Sequence, residues 1–367
     1  MSVAIDGSKL SWRMPYLTAG VPGIGGMIRA AEEDFVVEEV PAYAPCGEGE
    51  HTFFGVEKRG ISTLAVMRQI AVQLGIDERT MGSAGLKDAH AIARQTLSVP
   101  MIPPETLLAL QLEKAQVLWA QRHTNKLRTG HLRGNQFVIR IRNVMPDALE
   151  RGEMILAELL TRGVPNGYGP QRFGNHGDNH EIGLMLLRND REGLRVRGAR
   201  HLPFRVYQLC ISALQSALFN MYVSRRILSG TMDSVLEGDV ARKETTGGIF
   251  TVEDPLVDQP RAQAWEISAT GPIYGYKLME AQQTAGALER QVIEDAGLKL
   301  DDFRSVKAKG SRRPIRYAPQ GLTWVWEAPD VLVVSFFAPK GAFATMLLRE
   351  LMKDDSIGGW EDDSLDD

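Results

Sequence analysis

The stretch Gly82-Ser83-Ala84-Gly85-Leu86-Lys87-Asp88-Ala89-His90 sets a cation, an acid and an imidazole beside residues too small to shield them. Arg94 and Gln95 follow closely. Small residues let a backbone or a ligand approach. A carboxylate flanked by cations stays ionised and can act as nucleophile or general base, which makes Asp88 the candidate catalytic group. The plainer role for such an acid is to cap a turn and pair with a neighbouring cation. A second stretch is Gly134-Asn135-Gln136-Phe137. In a strand, Asn135 and Phe137 point the same way by the period of two. An amide beside an aromatic ring suits an extruded base: the ring stacks, and the amide reads a Watson–Crick edge. The alternative is that Phe137 belongs to the core. Near the end, Pro339-Lys340-Gly341-Ala342-Phe343 places a ring in the first turn of a helix expected over 342–352.

Other clusters carry less chemistry. Gly163 to Gly174 holds Asn166, Gln171, Arg172 and two aromatics among glycines and prolines, which predicts a rigid, shaped loop. His176, Asp178 and His180 alternate in a Gly/Asn-rich loop, a poor match to metal-ligand spacing, so no metal site is expected. Gly23, Gly25 and Gly26 precede no Gly-Lys-Ser/Thr, so they are not taken as a phosphate loop. No Gly-x-Ser-x-Gly elbow supports serine hydrolase chemistry.

The elements that must position these residues follow from periodicity. Strands are expected over 35–40, 51–58, 96–99 and 135–144. In the last, Phe137, Ile139 and Ile141 face one way and Arg140 and Arg142 the other. Helices are expected over 63–74, 147–162, 204–228 and 281–296, with Gly75 and Gly163 as stops for the first two. In the 63–74 helix, Leu64, Met67, Ile70, Ala71 and Leu74 share a face. Two strands around Ala328-Pro329-Asp330 precede the last helix. Residues 163–313 read as helix-rich with few clear strands. No clean βαβ rhythm appears, so the expected class is α+β, a mixed or largely antiparallel sheet with helices against it.

With 367 residues, 44% of them hydrophobic and 24% charged, the chain suits one large domain or two, and wholesale disorder is excluded. No apolar run is long enough to span a bilayer and no secretory leader is read at the start, so no membrane partner is expected. Cys46 and Cys210, far apart, suit a reducing cytoplasm. The net charge is −4, yet residues 353–367 alone carry −6, leaving +2 on the rest. Two acid-free stretches, 122–142 and 303–326, each hold six basic residues. Single-sign stretches of this kind suit a polyanion.

In this order along the chain, several motifs resemble the TruD family of tRNA pseudouridine synthases. They are Glu33-Asp34-Phe35-Val36-Val37-Glu38, Gly47-Glu48-Gly49-Glu50-His51, Gly85-Leu86-Lys87-Asp88 and Gly134-Asn135-Gln136-Phe137. Val164-Pro165-Asn166 with Gly169-Pro170-Gln171-Arg172-Phe173-Gly174, and Gly341-Ala342-Phe343-Ala344-Thr345, complete the set. The resemblance runs from about Gly26 to Met352. It extends to Gly247-Gly248-Ile249-Phe250 and Thr270-Gly271-Pro272 in the middle region.

The resemblance implies a pseudouridine synthase core, residues 1–162 and 314–352, interrupted by a helix-rich insertion domain at 163–313, with RNA in the cleft between them. Residues 353–367 would be a disordered acidic tail. It implies Asp88 as catalytic residue and a substrate pocket of Phe35, Asn135, Phe137 and Phe343, with Arg29 and Lys87 also binding substrate. The implied reaction isomerises uridine 13 in the D arm of tRNA, without metal or organic cofactor; a monomer is expected, since no exposed helical stripe calls for a partner. Asp88 would attack C1′ or C6, or act as a base at the sugar, and the sequence leaves these open. At Arg29, some family members carry lysine; arginine keeps the charge but not the point-like geometry. The rival class is a non-catalytic RNA-binding protein or tRNA chaperone. An acid at Asp88, where phosphates approach, speaks against it.

Overall fold

Alternating apolar and charged residues shape the chain from its first strands. The structure is a computed structural model and describes residues 10–357. The chain runs through β1 (Gly25–Met27), β2 (Phe35–Pro41), β3 (His51–Arg59), α1 (Thr63–Leu74), β4 (Gly82–Ser83) and β5 (Ile92–Pro100). It continues through α2 (Pro104–Leu108), β6 (Ala115–His123), β7 (Leu132–Val144), α3 (Ala148–Arg162), β8 (Val164–Pro165), α4 (Asn179–Arg188), α5 (Arg191–Val196) and α6 (Phe204–Leu228). Next come β9 (Val240–Lys243), β10 (Ile249–Thr251), α7 (Pro255–Gln263), β11 (Ile267–Ile273), α8 (Gln283–Asp295), β12 (Ser311–Pro314) and β13 (Arg316–Tyr317). The hairpin β14 (Gln320–Ala328) and β15 (Val331–Pro339) leads into α9 (Ala344–Met352). Among the described residues no helix is long and apolar enough to cross a membrane.

The chain divides into two compact units. One comprises Ile24–Glu150 and Pro319–Ala344; the other comprises Arg151–Ala318 with the segments ending at Gly23 and beginning at Thr345. This grouping does not follow the limits of 163 and 313 expected from the sequence. Residues 10–23 and most of α3 go with the second unit, because long-range bonds hold them there. Buried Glu350 accepts from the Leu17 and Thr18 amides at 3.0 and 3.1 Å.

The first unit is a nine-stranded mixed sheet in the order β14-β15-β7-β2-β5-β3-β6, with β1 on β7 and β4 on β5. Within it β2 and β5 run parallel and the other pairs antiparallel. The alternation in β7 is realised: Phe137, Ile139 and Ile141 are buried, while Arg140 pairs with Glu327 and Arg142 with Asp34 on the other face. Helix α1 starts at Ser62, whose hydroxyl accepts from the Ala65 amide, and ends at Gly75 with φ +65°. Its buried face is Val66, Met67, Ile70 and Ala71, packed on Phe54, Val56, Leu97 and Val99. Leu64, expected on that face, is exposed, because Val66 fills the place over the sheet.

The second unit contains an antiparallel sheet, β10-β9-β11-β12. Its strands hold three to seven residues, too short for a period to stand out, so the sequence reads the region as helical. Buried α6 crosses β11 where Gly271 lets the Phe219 and Tyr222 rings approach. Fully buried Arg226 donates to both Asp239 oxygens at 3.0 Å and to the Ser234 carbonyl at 2.6 Å. The tail expected to be disordered from Lys353 is ordered as far as Ile357, which is buried. Asp355 accepts from Tyr16 at 3.0 Å and from Arg349 at 2.7 Å. The rest of that tail lies outside the described residues.

Candidate active site

The site is built on one face of the first sheet. The register sets Phe35 opposite Ile139, Val37 opposite Phe137 and Glu39 opposite Asn135. Across the other edge of β7, Phe336 lies opposite Phe137 and Ala338 opposite Asn135. The rings form a wall: Phe35 meets Phe137 edge-on at 6.0 Å, and Phe137 stacks on Phe336 at 5.5 Å. Strands can close this tightly because position 134 is glycine. A Cβ there would run into the Ala338 carbonyl oxygen and the Phe337 ring.

Arg29 brings the acid to this wall. It follows β1 in the left-handed region, φ 60°, an uncommon conformation for a residue with a Cβ. Its guanidinium lies 4.3 Å from the Phe35 ring centre and pairs with Asp88. Burial pushes the Arg29 pKa down, and the Asp88 carboxylate opposes that shift. The Arg29 side chain is 3% exposed and that of Asp88 30% exposed, so the carboxylate is backed by a buried cation and open in front.

The loop carrying Asp88 is pinned at four points. The Gly130 amide donates to the Ala84 carbonyl at 2.7 Å, and the Lys87 amide donates to Thr63 Oγ1 at 2.9 Å. Lys87 Nζ pairs with Glu39 at 2.6 Å. Lys58 Nζ donates to the Asp88 carbonyl and, at 2.7 Å, to that of Ile61. Lys58 is 1% exposed, and burial pushes it down to about 8, with the Lys87 charge adding to that and the Asp88 carboxylate opposing it. Glu39 also accepts from the Thr96 amide at 3.2 Å, which ties the pair to the middle of β5.

The candidate residues therefore fare differently. Arg29, Phe35, Asp88, Asn135 and Phe137 share one face. Asn135 Oδ1 is buried and has no hydrogen-bond partner among the described residues, so the amide is available to a ligand. Phe343 sits one residue before α9, not in its first turn, because the Ala342 amide closes a turn onto Pro339 at 2.9 Å. It is 42% exposed. The Lys340 amide donates to Arg133 and its Nζ to Gly130, which links this turn to the Asp88 loop. Lys87, expected to bind substrate, has its ammonium in a buried pair with Glu39 and holds the loop instead. The sequence reading passed over Glu39, Lys58, Thr63 and Phe336. For Glu39 and Lys58 a signal existed: each is a charge in step with apolar neighbours, Phe35 and Val37, and Phe54 and Val56. Phe336 carries no mark that separates it from core.

The basic stretches are only partly free. Arg140 and Arg142 are paired, Arg304 meets Asp301, and Arg312 is buried with Glu289. Arg313 donates to Asn166 and stacks over Tyr168 at 4.4 Å, and Arg316 donates to the Arg162 and Ala262 carbonyls. Arg128, Arg133, Lys307 and Lys309 are exposed. His180 faces the Leu10 carbonyl and Asp178 pairs with Arg197. Among the described residues no three His, Cys, Asp or Glu side chains converge as metal ligands would.

In fold the chain is similar to a pseudouridine synthase: the crystal structure of a putative tRNA pseudouridine synthase D from Methanosarcina mazei matches with a TM-score of 0.75. That match covers 96% of this chain and 99% of the other at 23% identity. The TruD family model, tRNA pseudouridine synthase D, matches residues 11–196 and 194–351. The tRNA pseudouridine synthase D of Thermus thermophilus is 47% identical, with 94% of each chain covered. That of Geobacter metallireducens is 40% identical over 94% of this chain and 99% of its own. The chain belongs to the TruD family.

Proposed function

We propose that this protein is a tRNA pseudouridine synthase that isomerises uridine 13 in the D arm, with Asp88 as its catalytic nucleophile or base. The observation that carries this reading is the Arg29–Asp88 pair, set against the Phe35 ring with the carboxylate open on one side. Residues 1–162 and 314–352 are the catalytic core and residues 163–313 the insertion domain. The protein acts as a cytoplasmic monomer on RNA.

The reaction breaks the C1′–N1 bond, turns the uracil and joins C5 to C1′; C5 gives up its proton to solvent and N1 takes one up. No electrons are exchanged. A stacked base is out of reach, so the nucleotide is extruded first. Asp88 then attacks C1′ or C6, or takes a proton from the sugar. Arg29 holds the carboxylate in one orientation through each of these. Phe35, Phe137 and Phe343 hold the uracil while it is detached, and Asn135 hydrogen-bonds to its edge. Lys58 and the Lys87–Glu39 pair fix the backbone on either side of the acid, which limits how far the carboxylate can move.

The test is tritium release from C5-labelled uridine in tRNA, with the product mapped by sequencing. Wild type is expected to release tritium from position 13, and Asp88→Asn to release none while still binding RNA. Turnover by Asp88→Asn would remove Asp88 from the chemistry. Pseudouridine at another position would remove the site assignment. Tight RNA binding without any release would favour an RNA chaperone.

A further inference from the structure

A third acid-free stretch is longer than the two considered above. From Gly193 to Met232 there is no Asp or Glu, and six arginines: Arg195, Arg197, Arg200, Arg205, Arg225 and Arg226. Three of these are used internally. Arg226 is buried with Asp239, Arg225 pairs with Asp295, and Arg197 is latched to Asp178 and Glu181. The other three are exposed. Arg200 and Arg205 have no ion pair or hydrogen bond among the described residues. Arg195 meets Glu192 at 3.7 Å, with both side chains mostly in solvent.

Beside these cations the surface is apolar. Phe204, the first residue of α6, is 74% exposed and Val196, the last of α5, is 78% exposed. Phe204 lies next to Arg205 in sequence and Val196 next to Arg195, so each exposed apolar side chain is accompanied by an exposed cation. The backbone under the patch is held in shape. Asp190 caps α5 by accepting from the Gly193 amide at 2.9 Å, and buried Leu194 and Ala199 are joined by a 2.7 Å backbone bond. The Arg197 latch fixes the middle.

We propose that this surface, in the unit that does not carry Asp88, is an RNA-binding site of its own. Arg195, Arg200 and Arg205 take backbone phosphates, and Phe204 stacks on an unpaired base. Rings that offer a stacking face among cations are the recurring means of holding unpaired nucleotides. The occupant is the tRNA of the proposed reaction, so the inference rests on that reading for its partner.

The experiment compares wild type with the triple variant Arg195→Gln, Arg200→Gln, Arg205→Gln and with Phe204→Ala. Binding of an unmodified tRNA transcript is measured from 50 to 200 mM salt, together with tritium release. Three lost phosphate contacts should lower the slope of log K against log salt by ~2. Phe204→Ala should weaken binding by about 5- to 150-fold. In both variants KM rises while kcat and the melting temperature stay at the wild-type values, since the replaced side chains are exposed. Unchanged affinity and unchanged salt slope would overturn the proposal. So would loss of binding to anionic vesicles with RNA affinity intact, which would make the patch a membrane contact. If wild type binds tRNA but releases no tritium, the isomerase reading fails, and the binding measurements alone decide the surface.

Discussion

Removing Glu39 is the sharpest perturbation of the scaffold behind the catalytic loop. Its side chain is 1% exposed, its partner Lys87 is 6% exposed, and the two meet at 2.6 Å. Glu39→Ala leaves an ammonium buried without a counter-charge and the Thr96 amide without its acceptor. Breaking one side of a buried pair costs about 3–5 kcal/mol. For a unit of this size that is a fall in melting temperature of roughly 6–20 °C. High salt should not restore the loss, because ions do not screen a pair that water does not reach. The double replacement Glu39→Leu with Lys87→Met removes both charges and should recover most of the stability. The assay is thermal unfolding of wild type and Glu39→Ala, with Glu39→Leu, Lys87→Met and their double read as a mutant cycle. A Glu39→Ala melting temperature within about 3 °C of wild type would refute the reasoning, since that is at most ~1.5 kcal/mol.

Three further outcomes are expected. Lys58 is pushed down to about 8 in the fold, below its unfolded value. Between about 8 and the unfolded lysine range the unfolded chain binds a proton the fold has released, so this group makes stability rise with pH there. Activity should fall through the same window as the charge behind Asp88 is lost, and Lys58→Met should flatten that limb of the pH–rate profile. Phe343→Ala should cost activity worth about 1–3 kcal/mol with an unchanged melting temperature, because the ring is 42% exposed; unchanged kinetics would remove it from the pocket. Gly134→Ala should destabilise by about 1–3 kcal/mol or more by forcing β15 from β7, seen as a lowered denaturant midpoint.

Local rules carried far along this chain. The helix over 63–74 depends on period and a glycine stop and appears where those rules place it, and the strand with a basic face appears too, starting three residues earlier than expected, at Leu132. The second sheet did not announce itself, because strands of three to seven residues cannot display a period. The twelve basic residues illustrate the same limit for charge. A run of cations shows that positive charge is present but not which guanidinium meets a carboxylate from elsewhere in the chain. Arg312 beside Glu289 and Arg142 beside Asp34 were decided by packing.

The same division holds at the site. The sequence by itself determined that Asp88 stands in a loop of small residues, that Asn135 and Phe137 share a strand face, and which family the motifs resemble. Each of these is a matter of residue type and short spacing. Only the tertiary structure decided that Arg29, 59 residues away in sequence, pairs with Asp88. It alone set Lys58 under the Asp88 carbonyl and turned Lys87 inward to Glu39. The reason is physical: a side chain's role depends on its partners, and burial and sheet register bring those partners from positions that no local pattern connects.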